Sequence, residues 1–388
     1  MKLWLVVGVI FVVLALMKLY AYRRFLRHTF VFKHHKILLI LLLSALYVGE
    51  LAFFFLAKDR GFDHHTYIAL GSCVIVSYGL FLACVIGDIS RSMGRAISTR
   101  AKNANATEVL DSGRRRFLKI VLDLGILALF VFLSTKSIKN ALSIPKVREV
   151  EVELEGLDTS KSIAMISDVH IGKMLQGDFV RGIVEAINAL NADIVVIVGD
   201  LVDEHIEFVK EFLLPLNDLQ SKEGVYYVSG NHEYYHGIES ISAFLKTLNL
   251  KVLENENIEL ESFNLAGVSD LAGQRFGVLP PDLKRAQSGI NPQKPSILLA
   301  HQPKFVRQND VSAFDLVLCG HTHAGQVFPL SIFVWLDQHY IHGLYRLDSK
   351  TQLYVSSGVG FWGPAMRFLA PSEIVNLKLK PKLEQTRV

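Results

Sequence analysis

The chain changes character near residue 136. Before that point apolar residues come in long unbroken runs, and after it in short runs separated by polar clusters. Residues 3–17, "LWLVVGVIFVVLALM", are nearly charge-free but a little short for a full membrane crossing. Residues 37–57 and 66–87 are each long enough to cross about 30 Å of hydrocarbon as helix. Residues 120–135 are shorter and carry Asp123 inside the run. A removable leader does not take this form, and globular cores rarely supply several charge-poor runs in succession. The pattern predicts a membrane region of about four apolar helices over 1–136, a linker over 137–148, and a separate domain over 149–388. Glu50 and Asp123 are expected at the interface or against a neighbouring helix, without a functional role.

Past the linker the period shortens. Residues 149–156, "EVEVELEG", alternate as a strand with one wet face. "SIAMI" then leads to "DFVRGIVEAINALN", where Phe179, Ile183, Ile187 and Leu190 share one helical face and Asp178 offers a cap. "ADIVVIV" leads to "EHIEFVKEFLLPLNDLQ", and "GVYYV" to "GIESISAFLKTLNL". Further strands are expected at "SILLA" and "FDLVLC". Strands alternating with helices predict a layered α/β domain.

Charge adds a topology. The connection 18–36 carries six basic residues (Lys18, Arg23, Arg24, Arg27, Lys33 and Lys36), 58–65 carries two (Lys58 and Arg60), and 88–119 carries eight. The basic connections are expected on the cytoplasmic side, with the N-terminus outside. If 120–135 spans, the domain after it is extracytoplasmic; if it does not, the domain is cytoplasmic. Either way the chain is expected as a multi-pass protein of the cell (inner) membrane. The run "RRRFLK", with Arg114, Arg115, Phe117, Leu118 and Lys119, is similar to a twin-arginine export signal, and reads equally as an ordinary basic flank. Over the whole chain the net charge is only +4, which makes no case for a nucleic-acid partner. Cys73, Cys84 and Cys319 are too few for a disulfide framework.

The chemistry sits where the strands end. "SIAMI" runs into "SDVHIGK", "ADIVVIV" into "GDLVD", "GVYYV" into "SGNHE", "SILLA" into "HQP" and "FDLVLC" into "GHTH". In open α/β sheets ligands bind at the carboxyl ends of strands. Glycines 172, 199, 230 and 320 allow the tight turns such an edge needs. Oxygen and imidazole donors without thiolate suit divalent metals: manganese first, with iron, zinc or magnesium as alternatives. Asp168, His170, Asp200, Asn231, His301, His321 and His323 are too many for one ion and the right number for two. Two ions about 3.5–4 Å apart share a carboxylate, and Asp200 is best placed for that. Such a pair would activate a water and clamp the oxygens of a phosphoryl group undergoing in-line displacement.

Each element alone has a bland reading as a turn or a solvated strand end. A fixed tetrapeptide arises by chance in roughly one chain in 400 of this length, so the ordered set is what carries weight. The series "DVH", "GDLVD", "GNHE", "HQP" and "GHTH" resembles the calcineurin-like metallophosphoesterases over roughly residues 148–380. The resemblance implies a four-layer α/β/β/α sandwich with two mixed sheets and a dinuclear site. It implies Asp168, His170 and His323 on one metal, Asn231, His301 and His321 on the other, and Asp200 between them. His232 would stay off the metals and act as the catalytic proton donor to the leaving oxygen.

The tail, "GHTHAGQVFPL", "HYIHGLYRL" and "LYVSSGVGFWGPAMRFLAPSEIVNLKL", is similar to the membrane-associated bacterial phosphodiesterase branch. That branch includes UDP-2,3-diacylglucosamine pyrophosphatases of lipid A synthesis and exported enzymes. It implies a phosphorylated, lipid-linked substrate at a membrane, and no obligate protein partner is inferred. Phe361, Trp362 and Pro364 are expected either as a core-packed turn or as a lip touching lipid, and Arg367 is a candidate phosphate contact. Two further expectations stand beside the lipid A reaction: an exported phosphoesterase of unrelated substrate, and a non-catalytic membrane scaffold.

Overall fold

The structure, a computed structural model, describes residues 2–29, 32–56, 63–102 and 112–382. The chain divides into two compact units, Met1–Ile138 with Gly363–Ala365, and Lys139–Trp362 with Met366–Val388.

Among the described residues, the first unit is built on the α-helices α1 (Lys2–Arg24), α2 (Lys36–Leu56), α3 (His64–Lys102) and most of α4 (Ser112–Leu142), whose residues from Lys139 count with the second unit. Three stretches among the described residues are long and apolar enough to cross a membrane, Lys36–Leu56, His64–Met93 and Arg116–Leu142. The run expected over 120–135 is therefore longer than its apolar residues suggested. Helix-compatible residues on both sides extend it, so its length no longer counts against spanning. Helix α4 also continues through Leu142, and the next strand opens at Lys146, so ordered structure occupies most of 137–148. Glu50 is fully buried and pairs with Lys18 through one of its two oxygens, as expected of a charge packed against a neighbouring helix. Arg114 and Arg115 lie on α4, but their side chains fall outside the described residues, as does most of the sparsely charged connection 58–65.

The second unit is built on two six-stranded sheets. The first contains β1 (Lys146–Leu154), β2 (Lys161–Ile166), β3 (Ile194–Val198), β4 (Val225–Val228), β5 (Lys251–Val252) and β12 (Glu373–Pro381), in the order β1-β12-β2-β3-β4-β5. The second contains β6 (Glu256–Glu259), β7 (Asn264–Gly267), β8 (Ser296–Leu299), β9 (Leu316–Cys319), β10 (Gly343–Arg346) and β11 (Gln352–Val355), in the order β10-β11-β9-β8-β7-β6. Both are mixed. β2, β3 and β4 run parallel in one, β7, β8 and β9 in the other, while β12 is antiparallel to β2, and β6 to β7.

The central strands are apolar on both faces because both faces are covered. On β3, Val196 and Val198 join Met165, Leu265, Leu299 and Leu318 in the core between the sheets. On the outer face of the second sheet, Leu298, Val317 and Cys319 pack with Phe305 and Phe314. The period-2 alternation thus divides one continuous apolar run between two cores. This is the mixed α/β architecture expected from the sequence.

The helices between strands follow the apolar stripes: α5 (Gly177–Asn188), α6 (Ile206–Leu213), α7 (Asn231–His236) and α8 (Ile238–Leu245). Phe179, Ile183 and Ile187 of α5 are buried as their spacing predicts. Asp178 does not cap that helix. Gln176 holds the N-cap position, and Asp178, inside the first turn, pairs with Arg181 instead. α6 stops at Leu213 because Pro215 cannot donate to a continuing helix.

Candidate metal centre

Register brings the polar strand ends level with one another. Ile166 pairs with Ile197, and Val198 with Val228, so the segments after β2, β3 and β4 leave one edge together. The second sheet meets that edge through His301, whose Nδ1 donates to the carbonyl of Val198 at 2.8 Å. The backbone there is strained: Asp168, His170, Asp200, His321 and His323 all have φ between 49° and 70°. Left-handed backbone at five polar residues costs on the order of 1 kcal/mol each and is characteristic of functional sites. Gly230 and Gly320 are required for a different reason. A Cβ on the first would collide with Asp200, and on the second with Asp168.

The side chains fall into two adjoining groups. Asp168, His170 and His323 bring one ligand atom each within 4.8 Å of one another, and so do Asp200, His301 and His321. His170 Nε2 faces His323 Nε2 at 3.0 Å, and His323 Nε2 lies 3.3 Å from Asp168 Oδ1. Asp200 lies between the groups, its Oδ2 3.8 Å from His170 Nε2 and 3.2 Å from His301 Nε2. Asn231 starts α7 directly after Gly230.

Among the described residues, the buried polar atoms here without a hydrogen-bond partner include His301 Nε2, Asn231 Oδ1 and His170 Nδ1. Two of them belong to the expected second-metal set. Buried polar atoms are almost always satisfied, so unpartnered ones in a single cluster call for a ligand. The bond to Val198 fixes the proton of His301 on Nδ1 and turns the Nε2 lone pair inward, the usual arrangement of a metal-binding histidine. The donor set fits divalent metal ions.

Electrostatics agree. Burial opposes charging His301, but Asp200, Asp168 and Asp270 outweigh it and raise its pKa well above the usual value. The negative field that would hold a proton there also favours a cation. Burial and the nearby His301 push His321 down to about 3, keeping it neutral, which metal ligation requires.

Three residues around the site escaped the sequence reading, and a fourth takes a different place from the one expected. Asp203, the last residue of "GDLVD", contacts His232 Nδ1, and it lies 3.5 Å from His170 Nδ1. Burial opposes the charge on His232, yet Asp200 and Asp203 prevail and raise it to about 10. Glu233, in "GNHE", is fully buried. Its carboxylate accepts the backbone N–H groups of Leu201 at 2.7 Å, Val202 at 3.1 Å, Gly230 at 2.7 Å and Asp200 at 3.1 Å. It stitches the β3 loop to the β4 loop. Asp270, three residues past β7, is buried, with a carboxyl that burial raises to about 6. It accepts from Ala272 N at 2.7 Å and from Gln302 Nε2 at 2.8 Å.

The fourth is Arg367, in a role other than the expected phosphate contact. It is fully buried, donates to the carbonyls of Gly360 and Ala370, and sets its Nη2 2.9 Å from His323 Nδ1. Burial lowers its pKa to about 10, which leaves it charged. All its described bonds are internal. In the neighbouring loop Phe361 is buried and Trp362 exposed, so the expected lip is divided between core and surface.

Comparison with known proteins agrees with this site. Residues 161–325 match the calcineurin-like phosphoesterase family. A metallophosphoesterase of Campylobacter jejuni is 39% identical over 375 residues, covering 96% of this chain and 98% of that one. One from Helicobacter pylori is 44% identical over 336 residues, covering 86% and 87%. A transmembrane protein with metallophosphoesterase domain from Danio rerio is 34% identical over 365 residues, covering 89% and 80%. The chain therefore belongs to the calcineurin-like metallophosphoesterases, metal-dependent hydrolases of phosphoester bonds, here preceded by helices apolar enough to span a membrane.

Proposed function

We propose that the protein hydrolyses a phosphodiester or pyrophosphate bond in a lipid-linked substrate at a membrane surface, with UDP-2,3-diacylglucosamine as its most concrete form. In this reading Asp168, His170 and His323 hold one divalent ion, Asn231, His301 and His321 hold the other, and Asp200 serves both. The observation that carries it is the pair of unpartnered buried atoms, His301 Nε2 and Asn231 Oδ1, beside the shared carboxylate of Asp200. When bound, two such ions supply Lewis-acid polarisation and an acidified water.

The remaining steps belong to the chain. His232 Nε2 stands 3.9 Å from Asp200 Oδ2, at the edge of the site. From there the ring delivers its proton to the oxygen that leaves. Asp203 holds Nδ1 of the same ring, fixing the orientation and favouring the charged form. Glu233 keeps the two loops carrying Asp200, Asn231 and His232 in register. A scaffold without activity would not need this set, and residues of the expected type stand at all seven positions.

The direct test supplies the full-length protein, loaded with manganese, with UDP-2,3-diacylglucosamine, and measures release of UMP. A strain depleted of the protein should accumulate the same lipid. No release and no accumulation would remove this substrate and leave the hydrolase class standing.

A second reading, an exported phosphoesterase of another substrate, is favoured by the length of Arg116–Leu142 and by the eight basic residues in 88–119. An alkaline phosphatase fused after Val388 separates the two. An active fusion places the domain outside and sinks the lipid A reaction.

A further inference from the structure

The segment that follows the metal-binding loop is unusually apolar for a surface. Leu330–Gln338 is a helix of nine residues, and Leu330, Ile332, Phe333, Trp335 and Leu336 on it are 46% to 66% exposed. At 100° per residue these five cover an arc of about 220°. A helix that docks in one groove shows a stripe nearer 100° wide. Gln338 is buried and Ser331 and Val334 are half-buried, and the single charge on the helix, Asp337, is paired with Lys304 at 2.8 Å.

The same surface continues into neighbouring loops. Phe328 is exposed just before the helix, and its N–H is tied to the carbonyl of Phe368 at 3.2 Å. That brings in Leu369, 74% exposed and held at a φ of 58°. The side chain of Gln326 donates to the carbonyl of Trp362 at 2.8 Å and accepts its N–H at 3.1 Å, which fixes the exposed Trp362. Gln326 is three residues from His323, so the apolar rim is built on the loop that carries the site.

We propose that the helix Leu330–Gln338, together with Phe328, Trp362 and Leu369, lies in the interface of a lipid bilayer and opens the catalytic site onto it. Immersion in an apolar medium suits an arc of this width, whereas a groove on a protein partner covers one side. The chain also carries three stretches long and apolar enough to cross a membrane, and such spans would hold the catalytic domain at a bilayer. Trp335 stacks on His339 at 5.9 Å, next to Tyr340, and aromatic rings of this kind favour the headgroup level. A phosphate carried on a lipid would then reach the loop 320–326 without leaving the membrane. The inference goes beyond the proposed substrate and stands without it, because its test reads depth and not turnover.

The experiment uses the full-length chain in liposomes with Trp4→Phe and Trp362→Phe, leaving Trp335 as the sole tryptophan. Lipids brominated on the upper acyl chain should quench its emission about twofold relative to unbrominated lipid, and aqueous iodide should quench it weakly. The same result is expected when the probe is moved to Phe333→Trp with Trp335→Phe. Strong iodide quenching without a bromine effect overturns the proposal. So does protection from both quenchers, which would mean that a second copy or another protein covers the helix.

Discussion

His301 Nε2 stands 3.2 Å from Asp200 Oδ2 because its other nitrogen is committed to the carbonyl of Val198 at 2.8 Å. Strand β8 of one sheet thereby sets this nitrogen beside a carboxylate delivered by β3 of the other, with room between them for a shared cation. If Asp200 serves both ions, Asp200→Asn strips the site as a whole. Bound manganese should fall from about two per chain toward zero, measured by elemental analysis after gel filtration. Retention of both ions would move the shared ligand elsewhere.

The pairing of Asp203 with His232 makes a kinetic prediction. Asp203→Asn leaves the expected metal ligands intact but removes the charge that orients and protonates the ring. kcat should drop by roughly 10- to 100-fold, with metal content unchanged. The loss should be larger for an alkyl leaving group than for p-nitrophenol, which departs without needing a proton. Equal losses on both substrates would point to a structural role for Asp203.

Glu233 makes a stability prediction. Glu233→Gln replaces two accepting oxygens with one and sets an NH2 against backbone N–H groups. Leaving those donors unsatisfied costs about 1–3 kcal/mol, seen as a lower thermal midpoint of the full chain in detergent. An unchanged midpoint would mean that the loops after β3 and β4 hold themselves together.

For Arg367 two roles predict opposite outcomes. As the internal clamp described above, Arg367→Met strands the carbonyls of Gly360 and Ala370 and destabilises the fold by about 1–3 kcal/mol. KM for a soluble diester should then stay constant. A raised KM with an unchanged melting midpoint would restore the direct phosphate contact.

Much of the candidate site was legible in the sequence because the expected ligands sit within a few residues of strand ends, and apolar runs mark those ends. The pattern from "SIAMI" to "GHTH" locates Asp168, His170, Asp200, Asn231, His301, His321 and His323 without any knowledge of pairing. The supporting residues were hidden for the opposite reason. Glu233 acts on backbone about 30 residues earlier, and Arg367 reaches back 44 positions to His323. Nothing local distinguishes such a glutamate or arginine from a solvated one. Strand β12 was likewise unreadable as central, since its partners β1 and β2 lie more than 200 residues away. The helix Leu330–Gln338 escaped because an apolar helix reads as core, and only the structure reveals that most of its side chains face outward.

The most direct measurement of the central claim, a two-metal phosphohydrolase, is made on the purified full-length protein. Bound metal and hydrolysis of bis(p-nitrophenyl) phosphate are followed together through removal by chelator and titration back with manganese. The account predicts that activity disappears with the metal and returns as occupancy approaches two ions per chain. Turnover that survives complete metal removal, or full occupancy of two ions without turnover, would contradict it.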